Sequence, residues 1–210
     1  MFLIFTISLF LVFGLSEAKK GPCFNFNGND YLKYRLENVD IAHNVWYKLT
    51  FKTEQENGLL LYAEGSHDYE AIFLRGGKLH YFLFNPSSHG VGGTFGGQFK
   101  SDAKVNNETW ITVEVFRNRE PKLMQNDPLI GMVLTSEDGE KEKHIEYGAR
   151  HDVQIVLPIY IAGTNKDLGA GGQKFVGQIK DMREKLSGAV FNEPTWNSGA
   201  LRCLDIRPAQ

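Results

Sequence analysis

Thr109-Trp110-Ile111-Thr112-Val113-Glu114-Val115-Phe116 sets apolar Ile111, Val113 and Val115 against polar Thr112 and Glu114. Successive side chains of a strand point to opposite faces, so this period of two predicts a strand with one buried and one wet face. Working outward, similar short runs recur at Tyr47 to Thr53, Gly58 to Ala63, Tyr69 to Leu74, Lys78 to Phe84 and Ile155 to Ala162. Fainter versions occupy Tyr31 to Leu36, Ile130 to Thr135, His144 to Tyr147 and Phe175 to Met182. All are rich in Phe, Tyr, Val, Ile and Thr, which suit a pleated, half-buried surface. Gly76-Gly77 between two of them marks a two-residue hairpin. Strands at short, regular spacing predict an all-β fold, a sandwich of two antiparallel sheets in the jelly-roll, concanavalin-like manner.

The chain opens with an apolar run from Phe2 to Phe13, then Gly14 and the small-residue pattern Ser16-Glu17-Ala18. This reads as a secretory signal peptide over residues 1–18, leaving 19–210 as a single secreted, extracellular domain. A signal anchor is the alternative, since no basic segment precedes the run. No later stretch is apolar enough for a membrane-spanning helix. Removing Glu17 from the 25 acidic residues leaves 24 against 23 basic ones. Nothing in that balance draws the domain to nucleic acid or anionic lipid. A domain of this size buries roughly 70% of its unfolded surface and needs no disulfide scaffold. The two cysteines, Cys23 and Cys203, form one bridge in an oxidising compartment or remain two free thiols. Asn107-Glu108-Thr109 is a glycosylation sequon and implies an exposed turn.

Several segments, read in order, resemble the laminin G domain family. They are Phe24 to Leu32, Phe51-Lys52-Thr53 with Gly58 to Tyr62, Asp68 to Leu79, Trp110 to Arg117, Pro158 to Gly163 and Phe175 to Met182. The resemblance implies a laminin G-like sandwich that binds a protein receptor or matrix glycan through one rim. Two departures stand out. Gln178 replaces the family's usual cysteine after Gly177, which offers Cys23 to Cys203 as a substitute partner, and Ile111 follows Trp110 where histidine is customary.

The family also implies a calcium ion at the rim, held by two Asp or Asn side chains and two carbonyls. Calcium takes several hard oxygen ligands. By alignment Asp68 is the first acidic ligand, Asn85 supplies a carbonyl, and Asp152, displaced by about two positions and flanked by Arg150 and His151, is the second acid. Two solvated loop aspartates are the alternative. Basic residues are scattered, with Lys141, Lys143 and Arg150 interleaved among Glu140, Glu142 and Glu146, so no heparin patch is legible.

Sandwiches of this kind also house glycoside hydrolases, which need two carboxylates facing one another across a cleft. Glu70 and Glu114 read as isolated residues on outer faces, and the six histidines as loop residues. Neither a Gly-x-Ser-x-Gly elbow nor a His-Glu-x-x-His motif occurs. The expectation is therefore a binding module and not an enzyme, with a lectin-like carbohydrate binder and, behind it, a sandwich glycosidase as alternatives.

Overall fold

The computed structural model describes residues 20–86, 96–119 and 128–203. Residues 1–18, expected from the sequence to be a signal peptide, lie outside these residues.

Fifteen strands are formed among the described residues: β1 (Cys23–Asn27), β2 (Leu32–Tyr34), β3 (Val45–Lys52), β4 (Gly58–Gly65), β5 (Tyr69–Arg75), β6 (Lys78–Phe84), β7 (Gly97–Lys100), β8 (Ile111–Arg119), β9 (Leu129–Thr135), β10 (Lys141–Tyr147), β11 (Ile155–Ile161), β12 (Val176–Glu184), β13 (Ala189–Val190), β14 (Trp196–Asn197) and β15 (Leu201–Arg202). They make two sheets. Sheet A runs β10-β9-β8-β3-β12-β1-β15, with β13 beside β12, and sheet B runs β14-β2-β11-β4-β5-β6-β7. Every strand pairing is antiparallel.

The sheets pack face to face because each strand sends alternate apolar residues inward. In β8 the inward set is Ile111, Val113 and Val115; in β3 it includes Val45, Tyr47, Leu49 and Phe51. Sheet B answers with Leu60, Leu61, Ile72, Leu74, Leu79, Tyr81, Ile159 and Ile161. Gly76 and Gly77 have φ of 59° and 79°, the left-handed values that a tight β5–β6 hairpin requires.

The N- and C-terminal strands meet beside each other, with Phe24 opposite Arg202 and Asn25 opposite Leu201. Cys23 and Cys203 are bridged there, with Cα atoms 5.4 Å apart across a sequence separation of 180. The disulfide thus closes almost the whole domain.

Two features differ from the sequence expectations. The stretch after Pro86 contains the edge strand β7, which escapes a period-two reading because Phe99 is its one fully buried side chain. Glu70 lies inside the core with 0% exposure, and so does Arg117. Glu70 belongs to the same parity as Ile72 and Leu74 on β5, and Arg117 to that of Val113 and Val115 on β8, so alternation carries both inward. Arg117 Nε donates to Glu70 Oε2 at 3.3 Å, and the Tyr47 and Tyr81 hydroxyls donate to the same carboxylate at 3.1 and 3.2 Å. Burial, followed by the Glu70 charge, pushes both phenols well above their ordinary pKa. Burial opposes the charge on Arg117, but Glu70 and the two tyrosines outweigh it and hold the guanidinium above its ordinary value.

His80 and His144 also depart from the loop reading, since both stand on strands. His80 stacks on Phe73, ring centroids 5.1 Å apart, on the outer face of sheet B. Burial, then Lys100, Arg75 and Lys78, lowers its pKa. A histidine with a depressed folded-state value stabilises the fold above its unfolded pKa, near 6.5, and loses that contribution as pH falls through the folded value. Urea midpoints are therefore expected to drop between pH 7 and pH 5 by more for the wild type than for His80→Gln. Equal drops would contradict this.

Candidate functional site

The predicted rim residues gather at one end of sheet B. Asp68 closes the β4–β5 turn, where Gly65 N donates to its carbonyl at 2.8 Å. Asn85 follows β6, and Asp152 lies in the loop entering β11. This loop is tied to both other residues. Gln154 N donates to Asp68 Oδ2 at 2.7 Å, and Asn85 Nδ2 donates to the His151 carbonyl at 2.8 Å. Asp68 and Asn85 are buried at 5% and 2% exposure, while Asp152 is exposed with φ of 58°. The second Asp68 oxygen, Oδ1, has no hydrogen-bond partner among the described residues.

Asn118, which sequence reasoning does not single out, secures the loop from the other sheet. It stands near the end of β8 with φ of 53°. Its Nδ2 donates to the His43 and Arg150 carbonyls at 2.8 Å, and its Oδ1 accepts from Arg150 N at 2.6 Å. Buried Arg117 beside it donates to the Ile41, Ala42 and His43 carbonyls. An inward charge next to a turn-forming asparagine is the signal in the sequence, but its partners are backbone groups that no residue pattern reveals.

Arg150 bears on the electrostatics of the rim. Its guanidinium is committed to the Gly96 and Gly148 carbonyls and to Glu146 Oε2 at 2.7 Å. Those partners offset its charge locally, so it repels a cation at Asp152 less than a free arginine would.

The outer face of sheet B carries a row of aromatic rings starting beside the rim. Tyr69 lies 5.2 Å from Phe84, 5.7 Å from Phe82 and 6.0 Å from Tyr62 between centroids, and the row continues through Tyr160 to Tyr31. A recess of about 410 Å³ opens on this face between Tyr62, Tyr69, Phe82 and Leu168. Asn107 sits apart, exposed in the turn before β8, with its Oδ1 accepting from Thr109 Oγ1 at 2.7 Å.

Glu114 lies on the outer face of sheet A, where Trp46 Nε1 and Lys185 Nζ each lie 2.8 Å from its Oε2. Glu70 is locked inside the core, so the two carboxylates do not face one another across a cleft.

Among solved structures, the LG1-3 region of the laminin alpha2 chain matches with a TM-score of 0.69 at 14% identity, over 88% of this chain and 35% of that one. Mouse laminin alpha1 domains LG4-5 match with a TM-score of 0.64 at 16% identity, over 88% of this chain and 47% of that one. At such identities the agreement concerns the fold. In sequence, the laminin subunit alpha of Drosophila melanogaster is 31% identical over 125 residues, which is 57% of this chain and 3% of that protein. Neurexin-4 of the same organism is 33% identical over 84 residues, 40% of this chain and 6% of that protein. This chain thus corresponds to a small part of either relative. The laminin G domain model matches residues 51–185, from β3 through β12 and across both sheets. With that match joined to the two-sheet architecture, the chain belongs to the laminin G domain family.

Proposed function

We propose that this chain is a secreted extracellular binding module that recognises a protein receptor or matrix glycan through the Asp68–Asn85–Asp152 rim, with calcium as its cofactor. Laminin G domains serve as extracellular binding modules in laminins and neurexins. The observation that carries the rim reading is the Asp68 carboxylate. It is nearly buried, has one oxygen on Gln154 N, and leaves Oδ1 without a partner among the described residues. A carboxylate anchored through one oxygen, with the other left to take a ligand, suits a cation-binding position. Asp152 and a carbonyl at Asn85 would complete the protein share of an oxygen-rich shell, with water filling the remainder. Bound calcium would supply a positive centre for an acidic or hydroxyl-bearing ligand.

On this reading residues 1–18 are cleaved, the remainder is one domain, Asn107 carries a glycan, and the chain has no catalytic role. The ion pair that sequesters Glu70 speaks against its use as a glycosidase acid or base. The aromatic row on sheet B favours a second reading, a lectin-like binder, because sugar rings stack on aromatic faces.

Calorimetric titration of calcium into the secreted domain tests the cofactor assignment. Heat is expected for the wild type and loss of at least tenfold in affinity for Asp68→Asn, which keeps an acceptor for Gln154 N. Absence of calcium heat from the wild type would remove the site.

A further inference from the structure

Away from the rim, Asp102, Glu142 and His144 converge where the open edges of the two sheets meet. β10 ends sheet A and β7 ends sheet B, and Asp102 stands two residues beyond β7. Glu142 and His144 are two apart on β10, so both side chains leave the same face of that strand. One ligand atom from each of the three lies within 4.8 Å of the other two. His144 Nε2 is 2.5 Å from Glu142 Oε1, and Asp102 N donates to the same oxygen at 2.6 Å. Lys78 Nζ, the nearby cation, is engaged with the Asp102 carbonyl at 2.7 Å.

We propose that Asp102, Glu142 and His144 form a binding site for a divalent transition-metal ion of the zinc class, which clips the two sheet edges together. Three physical arguments support it. One imidazole nitrogen with two carboxylates is a borderline donor set that zinc accepts at about 2.0–2.2 Å, whereas calcium and magnesium favour all-oxygen shells. Ligand atoms around such an ion stand about 3.5 Å apart, so His144 Nε2 and Glu142 Oε1 part by about 1 Å to admit it, a shift within reach of side-chain rotation. Glu142 and His144 keep about a quarter of their side-chain surface, 25% and 24%, while Asp102 is exposed, which leaves an entry path and room for a water ligand. The site is distinct from the calcium rim in location, donor set and metal preference.

An ion here would join two sheets that share no strand.

The test uses the tag-free secreted chain, because a polyhistidine tag would itself bind the metal. Zinc chloride is titrated in competition with a chromophoric chelator, and cobalt(II) absorption reports the ligand geometry. One equivalent is expected for the wild type, with at least tenfold weaker binding for His144→Ala and for Asp102→Asn, each checked for a native circular dichroism spectrum. Asp68→Asn is expected to bind zinc as the wild type does, so failure of the rim reading leaves this result untouched. Equal zinc affinity in wild type and His144→Ala, or no wild-type binding up to about 100 µM zinc, would overturn the proposal.

Discussion

Arg117→Met is expected to lower the stability of the domain by about 3–5 kcal/mol, because it strands Glu70 as an unpaired charge in the core. Glu70 stands on β5 and Tyr81 on β6 in sheet B, while Tyr47 on β3 and Arg117 on β8 belong to sheet A. Their hydrogen bonds therefore cross the sandwich. Arg117 also donates to the carbonyls of Ile41, Ala42 and His43 at 2.6, 2.8 and 2.9 Å, so its loss frees a loop as well as a charge. At about 2–4 °C per kcal/mol for a domain of this size, the melting temperature should fall by roughly 6–20 °C. Desolvation of both ions cancels much of the pair's attraction, so the double variant Glu70→Leu/Arg117→Met should recover part of the loss. It should not recover all of it, since the three loop carbonyls remain without their donor. Urea and thermal melts of the two single variants and the double variant measure the coupling. Single variants costing less than about 1 kcal/mol would show that the network is solvated or dispensable.

Cys23→Ser/Cys203→Ser is the second large effect. A cross-link between residues 180 apart in sequence removes much of the freedom of the unfolded chain, and the chain-entropy relation gives roughly 5 kcal/mol as an upper bound. The native contacts it secures are slight, because β15 is a two-residue strand paired to β1 through Phe24 and Asn25. Most of the stabilisation must therefore act on the unfolded state. Melts of the wild type with and without reductant, beside the double serine variant, are expected to show a fall equivalent to about 3–5 kcal/mol. Coincident melts would contradict this.

The strand pattern was legible because burial on one face forces alternation. Ile111, Val113 and Val115 reveal β8, and Lys78 to Phe84 coincides with β6. The strand β7 was not legible, since an edge strand with a single buried residue, Phe99, leaves no periodic trace. Charge put Glu70 on an outer face in the sequence reading, although it shares the parity of Ile72 and Leu74; the deciding fact, its pairing with Arg117 47 residues away, exists only in three dimensions. Asp68, Asn85 and Asp152 were found through family resemblance. What holds them at one rim, the Gln154 amide and the His151 carbonyl, depends on which backbone groups the folded loops present. The same is true of Asp102 with Glu142, 40 residues away in sequence, and with His144 on the same strand, which meet because two sheet edges do.

Recognition at the Asp68–Asn85–Asp152 rim can be separated from recognition at the aromatic face by one comparison. Binding to an array of matrix glycoproteins and glycans should be compared for the wild type, a rim variant, Asp68→Asn/Asp152→Asn, and a sheet-face variant, Phe82→Ala, each with and without chelator. The rim variant and the chelator are expected to abolish wild-type binding, while Phe82→Ala retains it. Retention by the rim variant together with loss in Phe82→Ala would place recognition on the aromatic face and contradict a role for the rim.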